Sequence, residues 1–207
     1  MATVNPPILD SAPPWSPPRS SYLTLWHGCT GDDYAKMKPP ARIDPTKGQP
    51  QTDFGRGFYT TTFELRARHW AWKRYYDLPV ANSSAGNQPV ILKFRVPLER
   101  LARLNSLRFV LGHYDAISFW SLVQHCRQSP PAPNVHDQNH PDTSRGGWYD
   151  LVTGPVADFW RQRSLMSDAD QFGFHTTDAT DILNDVMEDG LRSRNTDVFE
   201  MIPVVNI

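Results

Sequence analysis

SYLTLWHGCT occupies Ser21 to Thr30, and TDFGRGFYTTT occupies Thr52 to Thr62. The first reads as a short apolar strand, Tyr22 to His27, that stops where Gly28 bends the chain. The second reads as a tight turn at Gly55 followed by a strand from Gly57 to Thr61. A histidine at a strand end can meet a hydroxyl group in either tautomer. The glycine after it has no side chain, so a ligand can approach the backbone closely. We expect the two stretches to face each other across a pocket.

Outward from these stretches, helices and strands are mixed. Asp32 or Asp33 is expected to cap a short helix through Met37. Pro39 to Gln51 holds four prolines and one glycine and reads as a loop. Phe63 to Tyr76 reads as a helix, with Leu65, His69, Trp72 and Tyr76 spaced to form an inward aromatic face; Trp70, Trp72 and Tyr76 are read as core or pocket wall. Asn82 to Asn87 is a polar turn. Val90, Leu92, Phe94 and Val96 alternate, as one face of a strand does. Leu98 to Leu104 suits a helical turn and Leu107 to Leu111 a strand. Tyr114 to His125 suits a helix whose contacts come from Ile117, Trp120, Leu122 and Val123. Further on we expect strands at Trp148 to Val152, ending in Gly154-Pro155, at Phe172 to His175 with Gln171 at its start, and at Val198 to Val205. A helix is expected at Asp178 to Val186. Without regular strand–helix–strand alternation, the fold class is α+β.

The chain has 207 residues, 39% of them hydrophobic and 12% aromatic, enough for one domain with its own core. Residues 1–20 carry six of the 19 prolines and read as a weakly ordered lead-in to a single domain at 21–207. The polar, proline-rich stretch 128–147 reads as an internal loop. Twenty-one basic and 22 acidic residues give a formal charge of −1, which offers no general attraction to nucleic acid or to an anionic membrane. Two cysteines, Cys29 and Cys126, do not make a disulfide framework. No apolar run approaches ~20 residues and the N-terminus lacks a signal-peptide pattern. The expectation is a soluble, intracellular protein.

Four pieces in this order, LWHGCT, DFGRGFYTTT, YDLVTGPVAD and DQFGFHTTDATDIL, resemble an uncharacterised branch of the ADP-ribosyltransferase superfamily, from about Leu23 to about Leu183. His27 is similar to the first motif residue on the diphtheria-toxin and poly-ADP-ribose-polymerase side, where the motif runs His, Tyr, then an acidic or amide residue. The matching positions are His27, Tyr59 and Gln171. The resemblance implies a split pair of small sheets with flanking helices and NAD, as co-substrate, in the cleft between them. It also implies that the peptide groups of Gly28 pair with the nicotinamide carboxamide. Thr30, Arg56, Gly57, Phe58 and Thr61 lie beside the motif residues and are expected to contribute to the NAD site. A tyrosine face can stack on the cationic nicotinamide for about 0.5–2 kcal/mol. Arg56 matches the geometry of a pyrophosphate and equally suits a solvated loop.

The reaction class follows from the ligand. Nicotinamide leaves, and a nucleophile on an acceptor attacks the ribose carbon, with the protein positioning the groups and supporting charge. Gln171 can orient the 2′-hydroxyl but cannot ionise as the commoner glutamate does, so Asp158 or Asp170 is considered as a source of negative charge. On a strand, Asp170 faces away from its neighbour Gln171. Ala169 stands where arginine-directed toxins carry a second glutamate, so an arginine target is not implied. The expected activity is mono-ADP-ribosyl transfer to a macromolecule, a protein first and nucleic acid as an alternative. An NAD glycohydrolase, an inactive NAD-binding domain and a proline-rich interaction protein stand beside it.

Other signals point less far. His136 and His140 have a four-residue spacing but lie among prolines, so no metal is expected there. FGRGFY lacks the third glycine and the βαβ unit of a dinucleotide fingerprint. Cys29 is read as a small packing residue.

Overall fold

The computed structural model describes residues 21–78, 87–110, 116–128 and 149–205. Residues 1–20, most of the 82–87 turn, the start of the helix expected from Tyr114, nearly all of the 128–147 loop with His136 and His140, and Trp148 lie outside the described residues.

Strand β1 (Tyr22–Thr30) runs antiparallel to β3 (Pro89–Pro97), which pairs in turn with β7 (Phe199–Pro203) to complete a three-stranded sheet. The alternation of Val90, Leu92, Phe94 and Val96 turns all four into one core with Leu25 and Cys29. Ile91, on the other face, meets Ala67 and Ala71. β1 does not stop at His27 as expected. Its register continues through Gly28↔Ile91, Cys29↔Val90 and Thr30↔Pro89, because β3 runs beside it as far as Pro89 and pairs with the inward-facing peptide groups, those of Cys29 among them. Thr30, rather than Asp32 or Asp33, then caps helix α1 (Gly31–Ala35), its hydroxyl accepting the Asp33 N–H at 3.2 Å.

A second sheet has the order β2-β6-β5-β4, from β2 (Phe58–Thr60), β4 (Ser106–Arg108), β5 (Leu151–Ala157) and β6 (Leu165–Phe174). β4 and β5 are parallel and the other pairs antiparallel. β5 passes through Gly154-Pro155 instead of ending there. The register shifts between Pro155 and Ala157, an irregularity at which a residue without an N–H is tolerated. β6 begins well before Phe172, so Gln171 lies inside the strand rather than at its start. Among the described residues the two sheets share one backbone bridge, Trp26↔Thr61, and pack side chains into a common core.

Helix α2 (Glu64–Tyr76) lies on β1 with a face other than the expected aromatic one. Ala67 and Ala71 point inward, whereas Leu65 is 57% and Tyr76 73% exposed. Trp70 is exposed as well, and only Trp72 reaches the edge of the small core beneath the helix. The cause is close approach. A Cβ on Gly28 would stand 2.0 Å from the Ala67 carbonyl oxygen and 2.8 Å from the Ala71 nitrogen, so the helix backbone rests on the strand and only small side chains fit. The short helix α3 (Leu98–Leu101) follows β3 directly. Helix α4 (Ala116–Arg127) covers the second sheet with Phe119, Trp120, Leu122, Val123 and Cys126; Ile117, expected to join them, is 75% exposed. Helix α5 (Thr177–Ser193), longer than expected, is capped by Thr176 and buries Ile182, Leu183, Val186 and Met187 against the first sheet. The fold is mixed α+β, two small sheets with flanking helices. Among the described residues, no helix is long and apolar enough to cross a membrane.

Candidate functional site

The site is built where β1 and β2 meet and part. At the bridge, Trp26 N–H donates to the Thr61 carbonyl at 2.8 Å and Thr61 N–H to the Trp26 carbonyl at 2.9 Å. An antiparallel ladder would next pair Gly28 with Tyr59, since both sit two residues beyond the bridge. That pair does not form. The imidazole of His27 takes its place, its Nδ1 lying 2.6 Å from the Tyr59 carbonyl oxygen. Gly28 shares the peptide orientation of Trp26, so its N–H and C=O face the opening between the strands. They have no hydrogen-bond partner among the described residues, although Gly28 is buried.

The facing carbonyl fixes the His27 tautomer. Nδ1 must carry the proton, which leaves Nε2 as an acceptor. Burial pulls the imidazole down from 6.5 to about 4, outweighing the hydrogen bond to Tyr59 that raises it. The ring stacks on Phe58 with centroids 4.1 Å apart. His27 is therefore neutral at pH 7, and Nε2 has no hydrogen-bond partner among the described residues.

Tyr59 points to the opposite face of β2 from Phe58. Its hydroxyl donates to the Gly55 carbonyl at 2.6 Å and accepts the Phe54 N–H at 3.2 Å, with the Thr52 hydroxyl 2.8 Å away. Burial raises it well above its ordinary range, so it is a neutral phenol that ties down the 52–55 turn. Its ring meets the edge of His175 with centroids 5.9 Å apart. Gly173, opposite Tyr59 on β6, makes room, since a Cβ there would lie 2.7 Å from His175 Nε2. His175 is itself buried, pulled down to about 4 by burial, with Nδ1 2.8 Å from the Arg56 carbonyl.

Gln171 shares the Tyr59 face of the sheet, two residues from Gly173. It is 8% exposed. Its Nε2 donates to Asp53 Oδ2 at 2.6 Å and to the Pro155 carbonyl at 2.8 Å. Asp53, 2% exposed, also accepts the Ala157 N–H at 2.8 Å, and its Oδ1 receives Arg127 Nε at 2.7 Å and Nη2 at 2.5 Å. The negative charge beside Gln171 therefore comes from Asp53, not from Asp158 or Asp170. Asp170 instead binds the hydroxyls of Thr61 and Thr62 and the Thr62 N–H.

The remaining expected contacts do structural work. Thr30 is buried as the α1 cap, and Phe58 is a core residue beneath His27. Gly57 lies against His175 and Phe174, where a Cβ would strike both. The Arg56 guanidinium binds the Thr46 carbonyl at 2.8 Å and stays at the surface. Thr61 holds the bridge. Cys29 packs in the core, its thiol pushed up by burial; Cys126 is likewise buried and pushed up to about 12. Among the described residues, no group of His, Cys, Asp and Glu is arranged to hold a metal.

His27 and Tyr59 are thus brought together through a side chain and a carbonyl, and Tyr59 and Gln171 through a common sheet face. The reading of the sequence missed Asp53, Arg127 and His175. Asp53 and His175 stand inside quoted stretches, and their signal was a polar residue flanked by Phe or Gly in strand-like sequence.

No curated protein and no solved structure matches the chain. The model of one family, described as protein of unknown function (DUF3990), matches residues 23–165, more than half of the chain. The match contains His27, Gly28, Asp53, Tyr59 and Arg127 and ends before Gln171. The chain belongs to the DUF3990 family.

Proposed function

We propose that this protein is an NAD-dependent mono-ADP-ribosyltransferase on an ADP-ribosyltransferase-like pair of split sheets. The observation that carries the reading is the opening at Gly28. One buried N–H and one C=O, side by side and without a hydrogen-bond partner among the described residues, match the single acceptor and single donor edge of a carboxamide. Neutral His27 adds an acceptor for a ribose hydroxyl, and Gln171 has one amide oxygen left for another. In the reaction, the bond from C1′ to the nicotinamide nitrogen breaks and its electron pair leaves with nicotinamide. An acceptor nucleophile bonds to C1′ and loses its proton to solvent. The chain's share is to orient the sugar and to stabilise the oxocarbenium-like centre.

A protein acceptor is the first expectation, in line with the near-neutral charge; nucleic acid is the second. NAD hydrolysis is the same chemistry with water as acceptor. An inactive NAD-binding domain is a second reading, favoured by one observation: the Gln171 amide is neutral and both of its inward contacts are already made. Labelled NAD incubated with the purified protein and a cell lysate separates these readings. Label in a discrete protein or nucleic-acid fraction, lost on Gln171→Ala, supports transfer. Nicotinamide release without label transfer supports hydrolysis. A raised melting temperature with NAD but no release supports the binding domain.

A further inference from the structure

Asp53 is the one fully buried carboxylate among the described residues, and it is held by hydrogen bonds from three elements. We propose that Asp53 is the positioning residue of the site, locking the amide of Gln171 with its nitrogen inward so that only its oxygen is offered to a substrate hydroxyl. The proposal rests on the transferase reading and names the residue that makes a glutamine workable there.

A glutamate has two equivalent oxygens and needs no such help. A glutamine amide has nearly the same shape when its O and N are exchanged, so its surroundings must distinguish them. Here both inward neighbours of Nε2 are acceptors, Asp53 Oδ2 at 2.6 Å and the Pro155 carbonyl at 2.8 Å. A flipped amide would place Oε1 against two oxygens, one of them charged. The contact to Asp53 is the stronger because its acceptor is ionised. Arg127 pairs with Asp53 through Oδ1, and the Ala157 N–H binds Oδ2, the oxygen that also receives Gln171. The same geometry accounts for the absence of glutamate at 171. Two carboxylates at 2.6 Å cannot both ionise without a large penalty, so a glutamate there would share a proton with Asp53.

The test uses the full chain in four forms: unaltered, Asp53→Asn, Gln171→Glu and the double variant. Asp53→Asn is expected to lower kcat for nicotinamide release by roughly 10- to 100-fold while KM for NAD stays within about twofold, because only the Pro155 carbonyl then opposes the flipped amide, which is misoriented rather than removed. In Gln171→Glu the shared proton raises a folded-state carboxyl pKa. Stability is then present at low pH and lost as pH rises through the raised value, so Tm falls from pH 5 to pH 8 relative to the unaltered chain. In the double variant the amide and the carboxylate exchange places, the pH dependence of Gln171→Glu disappears, and part of the lost kcat returns. Two results would overturn the proposal: a Gln171→Glu profile parallel to that of the unaltered chain, or an unchanged kcat in Asp53→Asn where Gln171→Ala is inactive. If the unaltered chain releases no nicotinamide, the transferase reading fails, while the Tm profiles still report whether Asp53 and residue 171 are coupled.

Discussion

The Tyr59 carbonyl receives the Nδ1–H of His27 at 2.6 Å, in the position that a continuing ladder would give to the Gly28 N–H. This one hydrogen bond parts the strands and fixes which imidazole nitrogen is available. His27→Asn separates the two tasks, because an asparagine amide can reach the same carbonyl but offers nothing at the Nε2 position. We expect its stability to change by about 1 kcal/mol or less and its nicotinamide release to fall at least tenfold, as loss of one hydrogen bond to the reacting sugar implies. Urea unfolding and a release assay, run side by side, read the two effects. Full release in the variant would remove Nε2 from the site.

Half-buried His27 and buried His175 both make stability depend on pH. His27 and His175 are each held near 4 against 6.5 when unfolded, so between these values the unfolded chain binds more protons. Stability is therefore complete above about pH 6.5, falls as pH drops through the window, and stops falling below about pH 4. At pH 5 each histidine takes away on the order of 2 kcal/mol, which lowers Tm by several degrees. Thermal melts of the unaltered chain and of His175→Asn between pH 4.5 and 7.5 measure this. The variant keeps a donor toward the Arg56 carbonyl and should show the shallower slope.

Strand β3 was legible because alternation is local, whereas the bounds of β1, β5 and β6 differ from those expected. Val90 to Val96 announces its buried face through its own residues, and the structure adds only one residue at each end. The face of α2 was not legible. Its aromatics outnumber its alanines, yet Ala67 and Ala71 are buried because Gly28, far away in sequence, lets the helix backbone settle on β1. The site divides in the same way. His27 and Tyr59 were singled out through the resemblance of LWHGCT and DFGRGFYTTT, and the structure joins them by one hydrogen bond. The lock on Gln171 was not legible, since Asp53 meets Arg127, Ala157 and Gln171 only after the second sheet and α4 have assembled.

Gly28→Ala tests that packing. The added Cβ would lie 2.0 Å from the Ala67 carbonyl oxygen, a backbone atom that no rotamer change can move aside. Either α2 lifts from β1 or the strand distorts, and we expect a loss of roughly 3 kcal/mol or more, with NAD binding lost as the strand edge shifts. Adding Ala67→Gly should not rescue the protein, because the clash is with a carbonyl and not with the alanine methyl. Denaturant melts of the single and double variants decide this, and recovery in the double variant would show that the side chain, not the backbone, limits the approach.

Tyr59→Phe asks what the tyrosine contributes besides a ring. The hydroxyl is engaged with Gly55, Phe54 and Thr52, all on the turn that carries Asp53, so its loss leaves the Phe54 N–H and the Gly55 carbonyl without this partner. We expect a destabilisation of about 1–3 kcal/mol. The ring remains, so any stacking on a cationic nicotinamide remains too, and NAD affinity at a temperature where the variant is folded should change by less than about twofold. Tyr59→Ala removes the stacking as well and should weaken binding roughly 2- to 30-fold, the range that a cation–π contact of about 0.5–2 kcal/mol implies. Calorimetric titration of both variants with NAD separates the contributions. Equal affinities in the two would mean that the Tyr59 ring does not touch the nicotinamide and acts through the 52–55 turn alone.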